Sequence, residues 1–189
     1  VMCCTNLNKE ERNKLSMIVK FLGGKFSKDF TSAVTHLTAG RVGSKKYFSA
    51  KNLTIPVIKS SWTYECWRLS LTHEVVKFDL PIPYVHTCEC FFGVVICVTG
   101  FSINTREKLK YQITSNGGNY SPELNVHLCH VLLAGSSHSK KKLSAAKRWE
   151  IPCVDIKWID KCLIDNRYYD YNEFLYQNLD ISESPLVIE

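Results

Sequence analysis

The stretches VMCCTNLNKEERNKLSMIVKFLGG (1–24) and VVICVTGFSINTREKLKYQITSNGG (94–118) decide the fold, because they are one pattern written twice. In each, an apolar run ends at a threonine, Thr5 or Thr99. From that threonine the same residues follow at equal distances: Arg12 and Arg106, the glycine pairs Gly23-Gly24 and Gly117-Gly118, and His36 and His130. THLTAG (35–40) and CHVLLAG (129–135) then differ by one residue, after which the register returns. Lys46 and Lys142 each precede a tryptophan by 16 positions, Trp62 and Trp158, and both halves carry Ile-Pro, at 55–56 and 151–152. The chain therefore reads as two copies of a unit of about ninety residues.

Within a unit, helix and strand alternate. Asn8-x-x-Glu11 has the form of a capping box, and Leu15, Ile18, Val19 and Leu22 recur at helical spacing until Gly23-Gly24 stops the helix. In the second copy Ser102 or Asn104 is the expected cap, with Leu109 and Ile113 facing inward. VTHLTAG, CHVLLAG, IPVI and IPCVDI are short apolar runs that read as buried strands, and strands separated by helices imply a parallel sheet. Helices opening at Trp62 and Trp158 close each unit, with both tryptophans in the core; His36 and His130 read as hydrogen-bonded core histidines. The expected division is a first domain over 1–72, a linker over 73–91, a second domain over 92–176 and a tail over 177–189. The first domain opens inside an apparent strand, as it would if its start were truncated.

Composition narrows the class. The chain has 189 residues, 45% hydrophobic and 22% charged, with no apolar run long enough for a membrane span. Its 24 Lys and Arg against 18 Asp and Glu give +6, which favours an anionic partner. Nine cysteines without framework spacing fit reduced thiols inside a cell. VMCCTNLNKEERNKL turns polar after four residues, unlike a signal peptide. His86-x-Cys88-x-Cys90 lacks a fourth metal ligand nearby, so no metal or other cofactor is expected. A cysteine phosphatase needs Cys-x5-Arg, whereas Cys4 and Cys97 stand eight and nine residues before Arg12 and Arg106; no Gly-x-Ser-x-Gly or Walker loop occurs. No enzyme is expected.

The two lysine clusters carry the functional reading. GSKKYFSAKN (43–52) and KKKLSAAKRW (140–149) place cations on the first turn of a helix, where the backbone dipole disfavours them. Parallel α/β sheets gather ligands outside the carboxyl ends of their strands. There a threonine hydroxyl, a guanidinium, an ammonium and free helix amides suit a phosphate monoester.

These motifs together resemble a BRCT domain: the threonine after the first strand, Gly-Gly after the first helix, VTHL in the third strand, SKKY opening the second helix and tryptophan opening the last. TNLNKEER, FLGGKFSKDF, VTHLTAGRVGSKKY and AAKRWEIPCV make the tandem similar to the N-terminal BRCT pair of the DNA topoisomerase 2-binding protein 1 family of replication and checkpoint scaffolds, over nearly the whole chain. The resemblance implies an α/β fold of two tandem BRCT domains, each a four-stranded parallel sheet flanked by three helices. It implies phosphoserine or phosphothreonine recognition in the nucleus without catalysis. The phosphate site of the first domain would be Thr5, Asn6, Arg12 and Lys46 with Lys45 assisting; that of the second, Thr99, Gly100, Arg106, Lys141 and Lys142. Implied partners are the phosphorylated tail of the checkpoint clamp and phosphorylated replication-initiation or repair factors, with no membrane. Asn6 stands where the second copy has Gly100, and Leu143 where the first has Tyr47; among Lys140, Lys141 and Lys142, the spacing to Trp158 favours Lys142. The alternative is a DNA-end or duplex-binding module, motivated by Lys140, Lys141, Lys142, Lys147 and Arg148; a further possibility is a structural pair that docks on other proteins through apolar surface.

Overall fold

The computed structural model describes residues 1–72, 82–137 and 139–176. They divide into two units, Val1–Gly93 and Val94–Glu189. The first runs β1 (Met2–Thr5), α1 (Lys9–Phe21), β2 (Phe26–Ser27), β3 (His36–Ala39), α2 (Lys45–Asn52), β4 (Val57–Ile58) and α3 (Ser60–Ser70). The second repeats it as β5 (Val95–Thr99), α4 (Ile103–Ser115), β6 (Asn119–Ser121), β7 (Val131–Ala134), α5 (Lys140–Arg148), β8 (Cys153–Val154) and α6 (Ile156–Ile164). Each sheet is four-stranded and all parallel, ordered β2-β1-β3-β4 and β6-β5-β7-β8. The expected sheets and helices are present.

The helices form where their ends are satisfied. Asn8 Oδ1 accepts from the Glu11 amide at 2.8 Å, Glu10 and Glu11 sit in the positive first turn, and Lys20 in the last. The second half of the expected capping box is absent: Glu11 Oε2 accepts instead from the Tyr64 hydroxyl at 2.9 Å, tying α1 to α3. Of the two expected caps of α4 it is Ser102 that serves, its Oγ accepting from Thr105 N. Leu15 and Val19 of α1 are buried; Val19 packs with Met2, Ile58, Trp62 and Cys66 on one face of the first sheet. Leu143 and Ala146 of α5 pack with Cys97, Leu132 and Ala134 on the opposite type of face in the second. Trp62 and Trp158 are buried as expected, whereas the two histidines are hydrogen-bonded but only half-buried at the sheet margin: His130 Nδ1 accepts from Val95 N at 2.9 Å, and His36 Nδ1 pairs with the Thr35 hydroxyl at 2.9 Å.

The repeat extends further than the sequence reading carried it. After α3 a 3-10 turn (Tyr84–His86) leads Thr87 antiparallel against Ile58, with bonds from Lys59 N to His86 O and from Cys88 N to Val57 O. After α6 a second turn (Asn172–Phe174) leads Leu175 against Val154, with bonds from Asp155 N to Phe174 O and from Tyr176 N to Cys153 O. Cys90 and Phe91 are buried, and Val42 N bonds Phe92 O. Residues 82–91, expected to be linker, are thus built into the first unit, because they cover the open edge of β4. Residues 73–81 of that linker and the tail over 177–189 lie outside the described residues. No helix of the described residues is long and apolar enough to cross a membrane.

Candidate functional site

In the first unit β1 ends at Thr5 and the chain turns through Asn6, which has φ of +52°. Asparagine accepts this left-handed backbone better than most residues, and here its Nδ2 donates to Arg41 O at 3.0 Å. The turn lies hard against the strand end beside it. Gly40 N donates to Thr5 O, and a Cβ at Gly40 would lie 2.2 Å from Asn6 O, so only glycine fits. The loop that follows brings in α2. Its N-cap Ser44 accepts from Tyr47 N at 3.1 Å and from the Thr5 hydroxyl at 2.8 Å, which joins the end of β1 to the start of α2.

Lys46 reaches back over the strand ends. Its Nζ donates to Lys28 O at 2.6 Å and Cys4 O at 3.2 Å, and lies 3.4 Å from Cys3 Sγ. Two of three ammonium donors are therefore held by backbone carbonyls and the third by sulfur, a weak acceptor that a stronger anion would displace. The Cys4 thiol records the local field. Burial, then Cys3, push it above its ordinary value, while Lys46 and Arg12 pull the other way. Of the two, Lys46 is the one in direct contact with the end of β1. Lys45 is exposed on the first turn of α2, which holds no acidic residue.

The second unit repeats this with different fastenings. Gly100 has φ of +80°, Gly135 N donates to Thr99 O at 2.8 Å, and a Cβ at Gly135 would lie 2.5 Å from Gly100 O. Thr99 Oγ1 is met by a backbone amide, Ser139 N, at 3.2 Å. Lys142 Nζ donates to Pro122 O at 2.7 Å and lies 3.6 Å from Cys97 Sγ. Pro122 and Cys97 stand at the same distances from Thr99 as Lys28 and Cys3 do from Thr5. Lys142 therefore occupies the place of Lys46, while Lys140 and Lys141 are exposed. Burial raises the Tyr120 phenol, and the Arg106 guanidinium opposes the rise.

Thr5, Asn6 and Lys46 are brought together at the end of β1, and Thr99, Gly100 and Lys142 at the end of β5; Arg12 and Arg106 lie on α1 and α4, within electrostatic range of Cys4 and Tyr120; Lys45 and Lys141 lie at the solvent side of the helix starts. Sequence reasoning missed Ser44, Gly40, Gly135 and the two tethering carbonyls. Ser44 was detectable as a capping residue just before the lysines, whereas backbone carbonyls leave no trace in a sequence. Among the described residues no group of three His, Cys, Asp or Glu side chains is arranged as a metal would need.

Two parallel α/β units, each with a hydroxyl and a carbonyl-tethered lysine at the strand ends, define a class of tandem module. The chain belongs to the twin BRCT domain family, whose pattern it matches over residues 1–62 and 94–158. It is 31% identical over 164 residues to the S-M checkpoint control protein rad4 of Schizosaccharomyces pombe, covering 84% of this chain and 24% of that protein. It is 26% identical over 140 residues to human Protein ECT2, covering 70% and 15%. The chain thus spans about a quarter or less of the length of these relatives. The solved structure of Rad4 BRCT1,2 in complex with a Crb2 phosphopeptide superposes with a TM-score of 0.74 at 26% identity, over 93% of this chain and 96% of that one. Rad4 BRCT1,2 in complex with a Mdb1 phosphopeptide gives 0.74 at 25%, over the same shares.

Proposed function

We propose that this chain is a phosphoserine- or phosphothreonine-dependent protein-binding scaffold module acting in the nucleus, in DNA-damage checkpoint signalling and replication initiation. The observation that carries this reading is the duplicated lysine, anchored by a carbonyl at the same distance from the strand-end threonine in both units. Each anchored ammonium keeps one donor on sulfur, beside a hydroxyl and the amides of a helix start. A phosphate monoester offers nearly two negative charges and three acceptors to that set. The Rad4 BRCT1,2 complexes with Crb2 and Mdb1 phosphopeptides support the same reading. In it, Thr5, Asn6 and Lys46, with Arg12 and Lys45 supplying charge, hold one phosphate. Thr99, Gly100 and Lys142, with Arg106 and Lys141, hold another. The partners are phosphorylated proteins such as a checkpoint clamp tail or replication-initiation and repair factors. In this reading the module binds phosphate and does not catalyse.

The test is fluorescence anisotropy with a degenerate phosphoserine/phosphothreonine peptide library and its unphosphorylated twin, on wild type, Lys46→Glu, Lys142→Glu and the double variant. Phosphate-dependent binding lost in steps is the expected result. Equal binding of the two libraries by wild type would overturn the proposal.

A further inference from the structure

The two units present different charge at the same place. The first contains 13 Lys and Arg against seven Asp and Glu; the second contains 11 of each, so all of the net charge belongs to the first. Part of that excess sits at the strand ends. In the sheet order β2-β1-β3, the residue after β2 is Lys28, β1 ends in Thr5, and Arg41 follows the β3 end. In β6-β5-β7 the corresponding residues are Pro122, Thr99 and Ser136, with neutral side chains. The neighbouring acids do not account for the difference. Asp29 and Glu123 hold the same turn in both units, each with its carbonyl accepting from a serine hydroxyl at 2.6 Å, from Ser27 and Ser121.

Lys28 and Arg41 are placed firmly by their backbones. Lys28 O holds the Lys46 ammonium, and Arg41 O accepts from Asn6 Nδ2. The Lys28 side chain is exposed and Arg41 is half-buried, and neither has an ion pair among the described residues. Neighbouring strands lie about 4.8 Å apart, so these two positions are at least about 10 Å apart on either side of β1, and more along the strands, because Lys28 is level with Cys4 while Arg41 lies two residues beyond the partner of Thr5. An extended peptide advances about 3.3 Å per residue and spans such a distance in about three to five residues.

We infer that the first unit selects phosphopeptides with acidic residues on both sides of the phosphorylated one, read by Lys28 and Arg41, a pair of cations that the second unit lacks at the corresponding positions. This rests on the phosphopeptide reading above and goes beyond it by naming the class of peptide. Lys28 and Arg41 are specificity residues in this scheme, and Lys46 remains the phosphate contact.

The test uses the full chain carrying Lys142→Glu, which silences the second unit. Three degenerate libraries are titrated by anisotropy: phosphothreonine with glutamate fixed at the two positions on each side, phosphothreonine with alanine there, and the unphosphorylated glutamate library. The expected result is glutamate-flanked binding about fivefold tighter than alanine-flanked at low salt, with the gap closing as salt is raised. Lys28→Gln with Arg41→Ser should close that gap to under twofold and leave the alanine-flanked library unchanged. To keep the test independent of how well that double variant folds, Ser136→Arg is tested separately in a Lys46→Glu chain, where it should give the second unit a preference for glutamate flanks. Equal affinity for the two phosphorylated libraries, or equal loss of both in the double variant, overturns the inference while leaving phosphate recognition standing. Equal binding with and without phosphate removes both.

Discussion

Replacing Lys46 with glutamine separates binding from folding. The ammonium bonds to Lys28 O at an exposed position and to Cys4 O at a partly buried one, so water replaces most of what is lost in the free protein. The cost to stability should stay within about 1 kcal/mol, a fall in Tm of less than about 8 °C for a unit of this size. The bound state loses far more. A hydrogen bond to a charged group contributes about 1.5–3 kcal/mol, and about 1.4 kcal/mol is tenfold in Kd. Affinity of the first unit for a phosphopeptide should therefore fall between about tenfold and about 150-fold. Calorimetric titration of a chain that also carries Lys142→Gln measures the residual, and thermal melting supplies the control. Lys46→Arg should not rescue, because a planar guanidinium cannot seat as a point charge between two carbonyls and a thiol. Retained discrimination between phosphorylated and unphosphorylated peptide in the double glutamine variant would show that neither ammonium meets the phosphate, and the tethered-lysine mechanism would be wrong.

Thr5→Val should weaken phosphopeptide binding about fivefold with little change in Tm, since Ser44 keeps its bond to Tyr47 N; titration and melting of the same sample check both. Gly40→Ala places a Cβ against Asn6 O and should cost about 1–3 kcal/mol in denaturant unfolding of the first unit, together with its binding. The buried thiols of Cys153 and Cys162 are pushed up to about 12 by burial, against an ordinary value of 9.0. A raised folded value means that the unfolded chain loses these protons first, so their contribution is complete below pH 9 and is lost progressively between 9 and about 12. Tm should decline above pH 9, and Cys162→Ala should flatten that decline. In native protein both thiols should also resist iodoacetamide at neutral pH.

The layout of the fold was legible because it is written twice: Thr5 and Thr99, the glycine pairs and the lysine-to-tryptophan spacing fix strand, helix and strand in each copy. What escaped were pieces whose structure depends on distant partners. β2 and β6 are two and three residues long and carry no periodicity, and they are strands only because β1 and β5 lie beside them. The returning segments at Thr87 and Leu175 are defined by the open edges of β4 and β8, which no local pattern announces. Glu11 had the right spacing for a capping box but found a better-placed donor in Tyr64, 53 residues away. At the site, side chains repeated at equal distances could be read. The one-residue insertion before the second lysine cluster blurs the correspondence among Lys140, Lys141 and Lys142, and it is the Pro122 carbonyl that marks Lys142 as the structural counterpart of Lys46.

The lysine tether has a consequence for how these sites drift. Its acceptor belongs to the main chain, so any amino acid supplies it, and lysine in one copy and proline in the other do so equally well. Positions 28 and 122 are thereby free to change without disturbing the lysine, and so can acquire new tasks in one copy only. An alanine scan would pass over the tether in silence. Only a change in the backbone itself, such as an ester in place of the amide that follows residue 28, would weaken that carbonyl and make its hold on Lys46 visible.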